Sequence, residues 1–319
     1  MPHLLHRFLC RAAPLIPLLQ WQRWGSAPPF LPFYHLVSDE NPRHIRHLYP
    51  VRTVRQFRDD LDFFLKNYQP VPLEAFWPQA ENPARRSAGR PAMHLSFDDG
   101  LRECHDVVMP ILLEKGVPAT FFLNPDFVDN RDLMFRYKAS LLCEAGVGQP
   151  IAPLSVPYAQ RHLLDDMAAA AGLDFAAFLE KQRPYLSSEQ IRTMQGRGFS
   201  FGAHSMSHPM YRDLPLREQL GQTLDSLRAL RERFGAQSDV FAFPFTDDGV
   251  GAVFFQKMHD ALGALLRSFG SAGLKFDTVP THLQRVPMEK TNLPARSTVP
   301  AEYAAFWLKK MLGKHRVPR

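Results

Sequence analysis

The chain has 319 residues, 45% of them hydrophobic, and a formal net charge of +6, enough for one large or two smaller folded domains and unlike a disordered or fibrous chain. The basic excess is spread out, and no Lys/Arg block is dense enough to argue a nucleic-acid interface, so no nucleic-acid partner is expected. Three widely spaced cysteines, Cys10, Cys104 and Cys143, form no CxxC pair, which disfavours a thiolate zinc site or disulfide framework and leans toward a reducing compartment.

Residues 1–38 contain Arg7, Arg11 and Arg23 and no acid. Within the first 25 residues the uncharged run AAPLIPLLQW is too short to span a bilayer, is interrupted by prolines, and is followed by no A-x-A cleavage site. Residues 1–27 therefore read as an N-terminal arm, packed or disordered, with peripheral membrane contact as the alternative. FLPFYHLV, Phe30–Val37, reads as a buried strand. Residues 53–68 put Val54, Phe57, Leu61, Phe64, Leu65 and Tyr68 on one helical face. NPARRSAGRP is a polar loop, AMHLSF a strand, ECHDVVMPILLEKG a helix ended by Gly116, and PATFFL another strand. This alternation predicts an α/β fold of parallel strands with helical crossovers.

The alternation stops from about 130 to 186, where LMFRYKASLLCEAG, YAQRHLLDDMAAAAG and DFAAFLEKQR are all helix-like. This stretch reads as a helical insertion or lid. From 187 a capped helix (SSEQIRTMQGRG), a strand (FSFGAH) and a long helix (LREQLGQTLDSLRALRERFG) restore it. VFAFPF and ALLRSF follow as strands around a helix (GAVFFQKMHDALG), and PAEYAAFWLKKMLG closes as a helix.

The chemistry gathers at predicted strand ends, where parallel α/β folds build their sites. Asp98 and Asp99 end AMHLSF. On a turn, adjacent carboxylates point different ways, so one can bind a metal while the other meets water; alternatively, one merely caps the following helix near Glu103. His204 and His208 in HSMSHP follow FSFGA, and imidazoles at i and i+4 on a helical or tight turn can share one metal. Two histidines and a carboxylate leave a position for water, the pattern of a catalytic metal. Phe245 ends the third strand, where its backbone N–H could serve an oxyanion. The acidic pair after it, Asp247 and Asp248, competes for the metal role or forms a solvated turn. His35, at the end of the first strand, is a general-acid candidate or a core histidine. His282 is a second acid candidate, and His44 with His47 forms a further cluster. Trp77, Phe135 and Tyr137 could stack on sugar rings, although core packing is the plainer role. His94 reads as a core histidine.

Taken together, these residues resemble the polysaccharide deacetylases with a NodB-homology domain, carbohydrate esterase family 4, over roughly residues 30–312. LSFDDG is similar to the family's T/S-F-D-D-G motif, HSMSHP to its H-S/T-x-x-H-P motif and FAFPF to its F-A-Y-P-Y-G motif. The resemblance implies a distorted (β/α)7 barrel, with residues 28–319 as the catalytic domain and the insertion at about 130–186. It makes Asp98 the catalytic base, Asp99, His204 and His208 the metal ligands, and the Phe245 N–H the oxyanion donor. The implied metal is zinc, with cobalt or nickel also accepted. FYHLV resembles the strand that opens the branch similar to poly-N-acetylglucosamine deacetylases, which makes His35 the first-choice acid. Many members carry an arginine where this chain has Val240, so Arg285 is expected to supply the charge that orients the base. The L-x-H motif near the end of the family pattern is not clear here, which puts His282 in doubt.

The expectation is a metal-dependent hydrolase removing N-acetyl groups from an amino-sugar glycan. An O-acetyl esterase on the same fold and a catalytically silent carbohydrate-binding protein are the rivals; a glycosidase would not need the histidine pair. The expected location is the cytoplasm, including the inner face of the membrane.

Overall fold

The computed structural model describes residues 8–76, 89–148, 151–235, 239–263, 266–289 and 292–319. Trp77 and most of the NPARRSAGRP loop lie outside them. Eight parallel strand segments form one sheet: β1 (Pro32–Tyr34), β2 (Leu95–Phe97), β3 (Ala119–Leu123), β4 (Ser200–Ala203), β5 (Val240–Ala242), β6 (Arg267–Gly270), β7 (His282–Gln284) and β8 (Val286–Pro287). Their order is β7-β6-β5-β4-β3-β2-β1-β8. The two edge segments, β7 and β8, are separated in the chain by Arg285 alone. The Arg285 N–H donates to Gly270 O (3.1 Å) and the Val286 N–H to Leu31 O (2.9 Å), so one extended run joins both edges. The sheet is thereby nearly closed into a barrel of seven staves, the distorted (β/α)7 barrel expected.

Strand alternation sorts the side chains. Leu31, Phe122, Val240, Ala242, Phe269 and Leu283 fill the lumen, while Tyr34, Phe97, Phe121, Phe201 and Phe241 face the helical layer. Gly202 must be glycine in this lumen, since a Cβ there would sit 2.6 Å from Phe122 and 2.8 Å from Val240.

The helices that matter for the fold are α1 (Leu18–Arg23), α2 (Val54–Asn67), α3 (Met109–Lys115), α4 (Phe135–Glu144), α5 (His162–Ala170), α6 (Phe175–Gln182), α7 (Ser188–Gly196), α8 (Leu216–Phe234), α9 (Ala252–Leu262) and α10 (Ala295–Met311). Capping boxes start α2 (Thr53 with Gln56) and α7 (Ser187 with Gln190), each worth about 1 kcal/mol at the cap. The closing helix starts at Ala295, upstream of the expected Pro300, because Asp60 Oδ1 accepts the Ala295 N–H at 2.6 Å. The AMHLSF strand breaks at His94. Ala92–Met93 pairs with Gln69–Pro70, and the buried His94 ring lies against Val71 O (2.8 Å) and Thr120 Oγ1 (2.9 Å).

Helices α4 to α6 lie between β3 and β4. Their apolar faces form a second core with Leu36 and Leu101, which follow β1 and β2, so the insertion covers the C-terminal mouth of the barrel. The segment leaving it locks onto the LSFDDG turn: Leu186 N–H donates to Gly100 O and Arg102 N–H to Pro184 O, both at 2.9 Å.

Candidate active site

Asp98 and Asp99 stand where β2 ends, and the backbone separates them. Asp98 continues the inward parity of Ser96, and its N–H donates to Tyr34 O at 3.0 Å. Asp99 turns into the left-handed region at φ 70°, followed by Gly100 at φ 60°. A Cβ on Gly100 would lie 2.8 Å from Leu123, so only glycine fits this turn. Neither aspartate caps the next helical segment, whose N-cap residue, Glu103, makes no side-chain cap bond.

Asp98 is buried and held by Arg285 through two bonds of 2.7 Å, from Nη1 to Oδ1 and from Nη2 to Oδ2. Arg285 is 1% exposed, donates also to Ser96 Oγ (3.1 Å), and lies over the rings of Phe33 and Phe122. Burial pushes the Asp98 carboxyl up, but the guanidinium outweighs it and holds it below the ordinary carboxylate value.

Asp99, His204 and His208 converge, one ligand atom of each lying within 4.8 Å of the others. Asp99 Oδ1 is 3.6 Å from His204 Nε2 and 3.2 Å from His208 Nε2. The His pair sits on an irregular turn, with Ser205 at φ 65° and His208 at φ 60°, its rings 4.9 Å apart. Asn124 ties this turn down by donating to the carbonyls of His204 and Ser205. His204 Nδ1 donates to Ala242 O at 2.8 Å, which leaves the Nε2 lone pair facing the group. His204 Nε2 and Asp99 Oδ1 are buried without hydrogen-bond partners, an arrangement costly unless a cation completes it. Burial, opposed by the neighbouring Asp98, lowers His204 to about 4, so the imidazole is neutral and ligand-ready at neutral pH. Burial raises Asp99 but its contact with His208 overrides it, and its carboxyl falls well below the ordinary range. The donor set fits a divalent ion such as zinc.

His35 follows β1 at the rim. Its Nδ1 lies 2.6 Å from Glu289 Oε2, and Glu289 also accepts the backbone N–H groups of His35 and Leu36 at 3.0 Å. Burial alone would discharge the ring, but Glu289 outweighs it and raises His35 to about 9. Tyr49 stacks on the imidazole at 4.8 Å, and its hydroxyl is 3.2 Å from that of Tyr137. Phe245, 39% exposed and at φ 56°, sets its ring edge-on to His208 at 4.4 Å, while its carbonyl accepts from Ser271 Oγ. Phe127, Phe135, Lys138, Arg161, His162 and Ser207 line a cavity of about 390 Å³ between the insertion and the HSMSHP turn.

Other candidates lie elsewhere. His282 shares the outward parity of β7, so it faces the helical layer between Phe243 and Phe255. There it meets Ser268 Oγ (2.7 Å) and Asp247 Oδ2 (3.0 Å). The Asp247–Asp248 pair splits. Asp248 reaches Arg212 at the surface (3.2 Å), while Asp247 joins Asp277 and His282 in a second potential metal-binding group. That group already holds a cation, because the Arg319 guanidinium bonds to Asp247 and to Asp277 (2.6 Å). His44 packs against Tyr137 and Phe178, and burial and Arg102 lower it to about 4; His47 pairs with Glu144 at 2.7 Å. Tyr137 is buried rather than open to a glycan, and its hydroxyl donates to Asp99 Oδ2 at 3.0 Å. Sequence reasoning gave Glu289 no role. Its signal was parity, since Arg285, Pro287 and Glu289 alternate along one extended run.

The polysaccharide deacetylase profile matches residues 85–253, more than half of the chain. The chain belongs to the polysaccharide deacetylase family. Deacetylases of this family are hydrolases acting on acetylated glycans, and the matched span carries all three motifs. No curated protein matches the sequence. Among solved structures, the Streptococcus pyogenes deacetylase PplD is 15% identical, with 87% of this chain and 98% of that chain covered at a TM-score of 0.57. IcaB from Ammonifex degensii is 16% identical over 87% and 97%, at 0.56. A de-N-acetylase from Aggregatibacter actinomycetemcomitans is 15% identical over 86% and 98%, at 0.54. At these identities the likeness of this polysaccharide deacetylase to them is one of fold.

Proposed function

We propose that this polysaccharide deacetylase hydrolyses N-acetyl groups of an amino-sugar glycan with the help of a divalent metal, zinc being the first choice. The observation that carries the reading is the buried, partnerless Asp99 Oδ1 and His204 Nε2 beside His208, next to a second carboxylate locked by an arginine. A metal held by Asp99, His204 and His208 would supply Lewis-acid polarisation of the acetyl carbonyl and ease deprotonation of water.

The chain's own groups divide the remaining work. Asp98 accepts the proton of the attacking water. Arg285 keeps that carboxylate ionised and aimed into the mouth. The Phe245 N–H, on the residue whose ring meets His208, is the candidate donor for the oxyanion that develops on the carbonyl. His35 gives its proton to the departing nitrogen, and Glu289 keeps that proton on the ring at neutral pH. This last pairing favours the amide over the ester, because an amine leaves poorly unless protonated. The cavity beside Phe135 and Ser207 is where the glycan chain is best accommodated.

The test is acetate release from N-acetylated and O-acetylated oligosaccharides, with and without chelator. Chelator-sensitive release from the N-acetylated set supports the reading. Release from O-acetylated substrates alone, or release indifferent to chelator, would sink it.

A further inference from the structure

Seven of the thirteen large apolar side chains exposed among the described residues belong to two segments that touch. Leu308, Met311 and Leu312 are exposed at i, i+3 and i+4, one stripe at the end of α10. Phe8, Leu15, Leu19 and Trp24 are exposed along the N-terminal arm, Leu15 at 84%. The segments are joined by Trp307 Nε1 donating to Trp21 O at 2.9 Å, by Trp24 lying 6.4 Å from Trp307, and by Lys310 Nζ reaching Ser26 O. Stable folded proteins rarely leave such a concentration uncovered.

The charge that these two segments carry has one sign. Residues 1–38 and 303–319 contain no Asp or Glu. Arg11, Arg23, Lys314 and Arg316 are exposed there, and Lys310 is half-buried over the Trp307 ring. Exposed leucine, methionine and tryptophan on segments that carry cations and no acid is the chemistry of an anionic bilayer surface, where each Lys or Arg near the membrane contributes about 1 kcal/mol and tryptophan favours the headgroup layer.

The topology sets the orientation. The arm enters β1 at its N-terminal end, whereas Asp98, His204 and His35 lie at the C-terminal strand ends. Helix α10 starts near the mouth, after Glu289, and runs about 25 Å back toward the arm. The apolar face is thus on the floor of the barrel, opposite the site.

We propose that this floor docks the enzyme on anionic lipid surfaces, with the mouth turned away from the bilayer toward a soluble glycan chain. Docking would be peripheral; among the described residues no helix is long and apolar enough to cross a membrane.

The experiment is co-sedimentation of the full chain with vesicles of phosphatidylglycerol mixed with phosphatidylcholine, against phosphatidylcholine alone. The wild type is expected to pellet with the anionic vesicles and to be released by salt. Leu19→Glu with Met311→Glu should lower the partition coefficient by about tenfold or more, with melting temperature and acetate release unchanged. Arg23→Glu with Lys314→Glu should do the same while leaving the apolar face intact. Wild-type protein staying in the supernatant overturns the proposal, as do both variants pelleting like wild type. So does a dimer in sedimentation equilibrium that Leu19→Glu with Met311→Glu dissolves, since a second copy would then be the occupant.

Discussion

The Tyr137 hydroxyl donates to Asp99 Oδ2 across 3.0 Å, so a side chain of the helical insertion orients a carboxylate of the barrel mouth. One oxygen of Asp99 is tied, and the other is left toward the two imidazoles. Tyr137→Phe keeps the ring, which stacks on Tyr185 at 6.0 Å, and removes only the tether. Loss of such a supporting bond typically weakens metal affinity about 10- to 100-fold. Competition of zinc between the protein and a chelator measures this directly, without activity. Unchanged affinity would show that packing alone orients Asp99.

Asp98 and Arg285 form a buried pair whose halves depend on each other. Asp98→Asn should lower turnover by roughly 10²- to 10⁴-fold, the usual span for a lost general base, while zinc affinity holds. Arg285→Met should also cut activity, but by another route. It leaves Asp98 buried without its cation, at a cost of about 3–5 kcal/mol, and raises its pKa. Thermal melts and pH–rate profiles of both variants separate the effects. Asp98→Asn with wild-type turnover would remove the base assignment.

Glu289 sets the charge state of His35. With the ring raised from 6.5 to about 9, the acid stays loaded through neutral pH and empties above about 9. Glu289→Gln should move the alkaline limb of kcat down toward 6.5. The linked stability has the same sign. A raised histidine pKa contributes fully below 6.5 and is lost as pH rises through 9. The gap in stability between wild type and Glu289→Gln should therefore narrow over that window, as chemical denaturation at several pH values would reveal. An unmoved alkaline limb would point to another acid.

The barrel and its mouth were largely legible because they rest on local pattern. Apolar runs ending in polar residues marked the strands, and the carboxylate and histidine pairs at two strand ends marked the mouth. What stayed hidden depends on contacts between distant segments. Nothing near Glu289 in the chain announces that it meets His35 254 residues away, although its parity with Arg285 is readable. Tyr137 looked like core or a sugar platform, because the sequence does not tell which side of the insertion faces Asp99. His282 was misleading for the converse reason. It lies on the right strand with the wrong parity, one residue before the inward-facing Leu283. The Asp247–Asp248 pair resembled a rival metal site because its cation, Arg319, lies 72 residues downstream.

That cation supports a last prediction. The Arg319 side chain is 3% exposed, spans Asp247 and Asp277, and also donates from Nη1 to Asp247 O at 2.8 Å. Asp247 Oδ1 accepts the Ser271 N–H (3.1 Å), and Ser271 Oγ donates to the Phe245 carbonyl (2.9 Å). Arg319 is thus linked through two residues to the backbone expected to serve the oxyanion. Arg319→Ala would leave two carboxylates facing each other without a guanidinium, which should destabilise the fold by about 3–5 kcal/mol. If the linkage positions Phe245, kcat should fall while KM and zinc affinity at the Asp99 group stay near wild type. Arg319→Lys, which keeps the charge but not the fork, should recover stability more than kcat. A lowered melting temperature with unchanged kcat in Arg319→Ala would reduce this cluster to a brace between β6, β7 and the Phe245 loop.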